Sequence, residues 1–164
     1  MGAAWSRRAG ISLWRLADIF SPATAFGLAY GRTGCLGAGC CFGRPADWPL
    51  GVEVPWSVRY YRRGMLPDDL LGLPVHPAPL YEALGCLLLF VLLSRLRARQ
   101  VFHGQTALAF LGGYGALRIA VELFRADAER GVYLSGWLST SQILSLLALA
   151  TLPLLWRWRR AAEP

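Results

Sequence analysis

The chain has 164 residues, of which 55% are hydrophobic and 16% are charged, and its mean hydropathy is positive. This composition is too apolar and too weakly charged for an ordinary water-soluble domain, so it predicts a membrane protein. The net charge of +7 comes from arginine alone, because the sequence contains no lysine. The arginines cluster at the ends of apolar runs and not along one polar surface, which argues against nucleic-acid binding.

Four apolar segments each approach the roughly 17 to 25 residues with which a helix crosses a bilayer. In chain order they are 13–31, 80–96, 106–124 and 138–156. We therefore predict an all-α, polytopic membrane domain over 1–164, with about four transmembrane helices. The first segment contains Asp18 and Pro22, so a kinked helix and a segment lying partly in the interface are both compatible with it.

The positions of the arginines also predict an orientation. With four spans, three clusters fall on one side of the membrane: Arg7, Arg8 and Arg15; Arg95, Arg97 and Arg99; Arg157, Arg159 and Arg160. Because positive charge marks the cytoplasmic side, both termini are predicted to be cytoplasmic. An extracytoplasmic arm, 45–79, and the connection after Arg125 then face outward.

The stretch 31–44, GRTGCLGAGCCFGR, is predicted to be an outward-facing glycine-rich loop. Glycine allows positive φ and close approach of another group, and a bound ligand is one reason to keep so many glycines together. The candidate ligand-contacting glycines are Gly31, Gly34, Gly39 and Gly43. Arg32 would lie at the outer end of the first helix, where it could meet an anion.

A polar stripe runs through the third apolar segment. Its residues follow each other at spacings of four, four and three, which places them on one narrow helix face: Tyr114, Arg118, Glu122 and Arg125. One interpretation is an ion-pair ladder that only neutralises itself. The other is functional, because ionisable groups inside a membrane are costly, and Arg118 together with Arg32 suits the phosphate of a lipid headgroup.

The segment HPAPLYE, 76–82, begins the second helix. Pro79 suits a first helical turn, and Glu82 there would favour the positive end of the helix dipole, so capping explains much of this segment. In the functional interpretation, His76 and Tyr81 face the same outer cavity as Arg32 and serve proton transfer or hydrogen bonding.

Three cysteines lie in the glycine-rich stretch, at Cys35, Cys40 and Cys41. They lack the paired two-residue gaps of zinc sites, so we predict no metal site. A disulfide between the adjacent pair would be strained, whereas Cys35 with either of the other two is feasible outside the cytoplasm. Cys86, in the second apolar segment, is predicted to be packing.

Four motifs together resemble the prolipoprotein diacylglyceryl transferases of bacterial inner membranes. They are GRTGC with the following GCCFGR, then HPAPLYE, GYGALRIAVELFR and GWLSTSQILS, in the family's order, over about 11–157. The resemblance implies transfer of the diacylglyceryl group of phosphatidylglycerol to the lipobox cysteine of a prolipoprotein signal peptide, with release of glycerol phosphate. It implies no cofactor, and it places Arg32 and Arg118 on the family's essential arginines, with Glu122 and Arg125 continuing the second motif.

The sequence departs from the family pattern in two respects. The match is to the later part of the family's fold, without its histidine and glycine motif, and Cys35 and Cys40 stand where typical members have asparagine and glutamate. Two alternatives follow, namely a truncated, non-catalytic phospholipid-binding relative and an outward-facing thiol redox protein. In the transferase interpretation, the catalytic candidates are Arg32, Arg118, Glu122 and His76, and substrate binding adds Cys35, Tyr81, Tyr114, Arg125 and the loop glycines.

Overall fold

The structure, a computed structural model, describes residues 10, 12–38, 40–41, 43–46, 51–53, 73–125, 132–133 and 138–162. This part of the chain contains four long helices, α1 (Leu13–Gly37), α2 (Ala78–Ala98), α3 (Gln105–Glu122) and α4 (Thr140–Ala161). Two short antiparallel pairs accompany them, β1 (Val52–Glu53) with β2 (Pro74–Val75) and β3 (Val132–Tyr133) with β4 (Leu138–Ser139). The predicted helical class is confirmed.

Helix α1 is longer than predicted. It continues without a break through Pro22 and past Gly31 to Gly37, where the Ala38 N–H caps it by donating to Gly34 O. The prediction that 31–44 is entirely a loop is therefore wrong for its first half. A glycine inside a helix costs only about 0.5 to 1 kcal/mol, and packing of α1 along α2 can offset that cost.

The helices pack closely because small residues face large ones. Helices α1, α2 and α3 contact one another, and α4 packs on α3. A Cβ atom at Gly113 of α3 would lie 2.6 Å from Leu89 Cδ1 of α2, so a larger residue there would require the Leu89 side chain to move. Gly85 of α2 faces Leu117 of α3 in the same way. Such pairing lets helix backbones approach closely, as they do in membrane proteins.

One end of the bundle joins the start of α1, the α2–α3 connection and the end of α4. The Trp14 and Trp158 rings lie 6.3 Å apart, and the Arg159 guanidinium stacks over both of them. Arg159 Nε and Nη2 donate to His103 O at 3.2 and 3.1 Å. These contacts place the start of α1 and the end of α4 at the same end of the bundle. Consecutive helices therefore run in opposite directions.

Helix α1 tolerates the charged Asp18 because the buried carboxylate accepts two hydrogen bonds from backbone N–H groups. Asp18 Oδ2 accepts from Gly104 N at 2.6 Å, and Oδ1 accepts from Ala107 N at 2.9 Å. These N–H groups belong to the N-cap residue and the first turn of α3, where unpaired donors and the helix dipole favour an anion. Asp18 therefore does not interrupt α1 but caps α3 across the helix pair.

Much of the apolar surface of the bundle is exposed. Helix α2 shows Leu84, Leu88 and Leu92 on its outside, each more than half exposed. Within the described residues, α2 is the one helix that is long and apolar enough to cross a membrane by length and composition. Exposed leucines in a row suit contact with lipid better than contact with water.

Only parts of the predicted arm, 45–79, can be described. Pro45 bridges to Val75, and β1 pairs with β2, with Val52 opposite Val75 and Glu53 opposite Pro74. Residues 47–50 and 54–72 of the arm lie outside the described residues.

Candidate functional site

Glu82 is the centre of the polar site. It lies in the first two turns of α2 and its side chain is fully buried. Its Oε2 atom lies 2.9 Å from Arg32 Nε on α1 and 3.1 Å from Arg118 Nη1 on α3. Its Oε1 atom accepts from the Tyr114 hydroxyl at 3.2 Å. One carboxylate thus joins three helices.

Two further charged residues complete the group. Arg125 Nη1 lies 4.0 Å from Glu82 Oε2, and Arg118 Nη2 lies 3.4 Å from Glu122 Oε2. Ser141, in the first turn of α4, donates to the same Glu122 oxygen at 3.2 Å. We call this group the arginine cluster; its members are Arg32, Glu82, Tyr114, Arg118, Glu122 and Arg125.

The arginine cluster carries a net charge of +1, since three guanidinium groups face two carboxylates. Its cations differ in accessibility. The side chains of Arg118 and Arg125 are 9% and 3% exposed, whereas that of Arg32 is 21% exposed. Arg32 is therefore the member of the three that an external anion reaches first.

Several predicted site residues come together as expected. Tyr114 and Arg118 reach Glu82 from one face of α3, as predicted. Arg125 also reaches Glu82, but it lies three residues beyond the end of α3 and not on the helix itself. Arg32 lies at the same level, as predicted, and the predicted pair of Arg118 with Glu122 is also formed.

The prediction for Glu82 missed its main role. Its position after Pro79 suggested a favourable interaction with the helix dipole, but the structure uses it to hold three cations. A signal for this role was present in the sequence, because no carboxylate lies between Asp18 and Asp47. Arg32 therefore needed a distant partner, and an acidic residue near the start of another helix is a suitable one.

His76 and Tyr81 line an apolar pocket beside the arginine cluster. The pocket has a volume of about 300 Å³ and is lined by His76, Tyr81, Leu117, Ala120, Val121 and Phe124. His76 Nδ1 lies 3.2 Å from the Tyr81 hydroxyl, and the Phe124 ring packs on both side chains. Arg32 is not among the residues that line this pocket, so a cavity shared by His76, Tyr81 and Arg32 remains a prediction.

Gly43 and Arg44 tie the start of α2 to the end of α3. Gly43 N donates to His76 O at 2.8 Å, and Arg44 N donates to Phe124 O at 2.8 Å. Arg44 Nε also donates to Arg125 O at 3.1 Å. A Cβ atom at Gly43 would collide with Phe124 O, so this glycine is required by packing.

The other predicted glycines differ from Gly43. Gly31 and Gly34 lie on α1, and among the described residues no atom outside the helix's own backbone comes within 4 Å of a Cβ placed at either of them. Gly39 lies outside the described residues.

The three cysteines of the stretch meet at the end of α1. The sulfur atoms of Cys35, Cys40 and Cys41 all lie within 4.8 Å of one another. Burial, helped by the two neighbouring thiols, raises the pKa of the Cys40 thiol to about 11. Spacing alone did not indicate this meeting, because it depends on how the chain turns after the helix. Cys86 is buried in α2, as predicted.

Comparison of the sequence with known proteins identifies the family. The family model described as prolipoprotein diacylglyceryl transferase matches residues 1–158. The chain belongs to the prolipoprotein diacylglyceryl transferase family.

Individual relatives of the family carry the name phosphatidylglycerol–prolipoprotein diacylglyceryl transferase. One from Solidesulfovibrio magneticus is 38% identical over 146 residues, which is 87% of this chain and 50% of the relative. One from Brucella ovis is 37% identical over 164 residues, which is 96% of this chain and 54% of the relative. The chain thus spans about half the length of the curated relatives it matches.

Proposed function

We propose that this chain binds phosphatidylglycerol at the arginine cluster and takes part in transfer of its diacylglyceryl group to the cysteine thiol of a prolipoprotein. The observation that carries the proposal is Arg32, a partly exposed guanidinium held by a buried carboxylate at 2.9 Å. Family membership and the names of the relatives support the reaction.

The charge of the cluster suits a lipid phosphodiester. The net charge of +1 equals and opposes the single negative charge of phosphatidylglycerol. Glu82 occupies Arg32 Nε, which orients the rest of the guanidinium, and Arg118 and Arg125 add positive potential from behind. As far as the described part of the chain shows, the space beside Gly31 and Gly34, on the same helix as Arg32, leaves room for a headgroup.

In the proposed reaction, the acceptor sulfur forms a bond to the carbon of the diacylglyceryl group that is joined to the phosphate through oxygen. The bond from that carbon to the phosphate oxygen breaks, and glycerol phosphate leaves with the electron pair. Negative charge therefore grows on the phosphate in the transition state, where preorganised arginines stabilise it most effectively. The Arg118 side chain, fixed between Glu82 and Glu122, needs little reorganisation for this task.

His76 is the proposed acceptor of the thiol proton. A neutral imidazole can take a proton as a general base, and the Tyr81 hydroxyl at 3.2 Å from Nδ1 holds the ring. The apolar pocket beside it, about 300 Å³, suits part of an acyl chain, because its walls are Leu117, Ala120, Val121 and Phe124. Gly43 fixes His76 through the backbone hydrogen bond described above.

We propose further that all four helices cross the bacterial inner membrane, with both termini cytoplasmic and the arginine cluster toward the outer side. The contacts of Trp14 with Trp158 and of Arg159 with His103 support the alternating helix directions. Arginine-rich helix ends on that same side fit the positive-inside rule.

The binding test compares two arginines on different helix ends. Arg32→Ala should weaken phosphatidylglycerol binding roughly tenfold to a hundredfold, as expected for loss of a charge-assisted contact worth about 1.5 to 3 kcal/mol. Arg95→Ala, an exposed residue in the last turn of α2, is the matched control and should bind as the parent does. Each variant is titrated in detergent with phosphatidylglycerol and with phosphatidylcholine.

Equal losses in the two variants, or equal binding of both lipids by the parent, would refute Arg32 as the phosphate ligand. The transfer step needs its own measurement, namely movement of a labelled diacylglyceryl group to a synthetic lipobox peptide. Transfer by the parent with loss in Arg32→Ala is the expected result. Lipid binding without any transfer would restrict the function to phospholipid binding.

A further inference from the structure

A group of three thiols lies next to the arginine cluster. Cys35 is in the last turns of α1, three residues after Arg32, and Cys40 and Cys41 follow the helix end. Residues three apart on a helix lie on the same side, so Cys35 is on the side that carries Arg32. The three sulfur atoms lie within 4.8 Å of one another.

The backbone holds this group in place from both sides. Cys40 N donates to Cys35 O at 3.1 Å, which folds the chain back over the helix end. Cys41 has a φ of 65°, a left-handed conformation that a residue other than glycine rarely adopts. Directly afterwards, Gly43 and Arg44 are fixed by hydrogen bonds to His76 and Phe124. The backbone conformation and its hydrogen bonds therefore bring the three thiols together.

The dimensions suit a thiophilic cation. Zinc bound by thiolates has Zn–S bonds of about 2.3 Å, so tetrahedral geometry places sulfur atoms about 3.8 Å apart. The 4.8 Å limit requires each sulfur pair to close by no more than about 1 Å, which side-chain rotation can supply. Three protein ligands leave a fourth coordination position for an external group.

We propose that Cys35, Cys40 and Cys41 form a binding site for one Zn²⁺ ion, with its fourth position open to an external ligand. Three thiolates and one Zn²⁺ carry a net charge of −1, and the neighbouring Arg32 guanidinium offsets that charge. Cys40 is buried, whereas Cys35 and Cys41 are partly exposed, so the ion has a path of entry. Zn²⁺ binding requires neither lipid nor transfer activity. A negative result for Zn²⁺ would therefore leave the proposed function unaffected, and the reverse also holds.

The test uses the full chain in detergent, reduced and stripped of metal. Zn²⁺ is titrated in competition with a chromogenic chelator, and Cd²⁺ is titrated separately for its thiolate charge-transfer absorbance. We expect one ion per chain, an absorbance corresponding to three thiolates, and a loss of affinity of at least about tenfold for each of Cys35→Ser, Cys40→Ser and Cys41→Ser. Cys86→Ala, which removes the buried thiol of α2, should leave Zn²⁺ affinity unchanged.

The absorbance of the parent keeps the test independent of how well the variants fold. A Cd²⁺ spectrum corresponding to two thiolates or fewer would overturn the three-thiol site. So would Zn²⁺ binding by the reduced parent that is no tighter than binding by the triple serine variant. A loss in Cys86→Ala as large as in Cys40→Ser would also overturn it, because the effect would then come from general unfolding.

Discussion

Arg32 Nε on α1 lies 2.9 Å from Glu82 Oε2 on α2, so a single contact both joins two helices and positions the most exposed cation of the site. The carboxylate is fully buried, and it tolerates burial because Arg118 and Tyr114 also hydrogen-bond it. Packing of α1, α2 and α3 therefore brings the members of the arginine cluster together.

Glu82→Gln should destabilise the protein strongly. The change keeps the shape of the side chain but leaves Arg32, Arg118 and Arg125 around a neutral amide in a buried position. Breaking a buried ion pair on one side costs about 3 to 5 kcal/mol, and here three cations lose the same partner. Thermal unfolding in detergent, followed by helical circular dichroism, measures the loss.

Glu122→Gln is the matched control for that experiment. Glu122 is more exposed than Glu82, and Arg118 keeps its contact with Glu82 when Glu122 is neutralised. A much smaller decrease in unfolding temperature is expected. Similar decreases for the two variants would show that Glu82 is not the centre of the cluster.

The fold could be predicted in its main features because apolar length and arginine placement are local properties of the sequence. The four predicted segments correspond to α1, α2, α3 and α4 with shifts of a few residues at most ends. The larger error concerned Gly31–Gly37, where glycine content suggested a loop. Tertiary packing of α1 along α2 outweighs that weak local preference.

Only the part of the site that depends on spacing within a single helix could be predicted from the sequence. Helical spacing placed Tyr114 and Arg118 on one face, and the structure confirms this. Arg125 reaches the same carboxylate from beyond the end of α3. The role of Glu82 and the meeting of Cys35 with Cys40 and Cys41 depend on contacts between elements or on a turn, for which spacing carries no information.

Asp18→Asn should weaken the attachment of α1 to α3. The carboxylate accepts from both Gly104 N and Ala107 N, whereas an amide offers one oxygen and turns its NH₂ group toward the other donor. We expect a loss of about 1.5 to 3 kcal/mol, the range for hydrogen bonds to a charged group. Thr24→Ala, at an exposed position of α1, should change stability by less than about 0.5 kcal/mol. Equal stability of Asp18→Asn and the parent would contradict the capping role.

Gly43→Ala should destabilise the protein, because the added Cβ would lie 2.8 Å from His76 Cβ and still closer to Phe124 O. Neither neighbour is the flexible end of a side chain, so the segment must move, at a cost of about 1 to 3 kcal/mol. Gly34→Ala, which meets open space in α1, should instead be neutral or raise stability by up to about 1 kcal/mol. Paired thermal unfolding curves test the difference, and a Gly43→Ala variant as stable as Gly34→Ala would contradict it.

The proposed topology predicts that the end of α4 faces the cytoplasm. In a background from which the native cysteines have been removed, Arg160→Cys places a reporter on an exposed position of the arginine-rich end. Gly34→Cys places one on an exposed position near the outer end of α1, so it is the matched control. A membrane-impermeant maleimide should label Gly34→Cys in intact cells and Arg160→Cys only after permeabilisation.

The orientation is decided by comparing the labelling of Arg160→Cys with that of Gly34→Cys, and not by either variant alone. Trp14, His103 and Arg159 meet at the same end of the bundle, so that end must lie on a single side of any membrane the helices cross. Labelling of Arg160→Cys but not Gly34→Cys in intact cells would invert the orientation and place the arginine cluster toward the cytoplasm. Labelling of both in intact cells would show that the helices do not separate these two ends across a bilayer, and the membrane-spanning arrangement would fail with it.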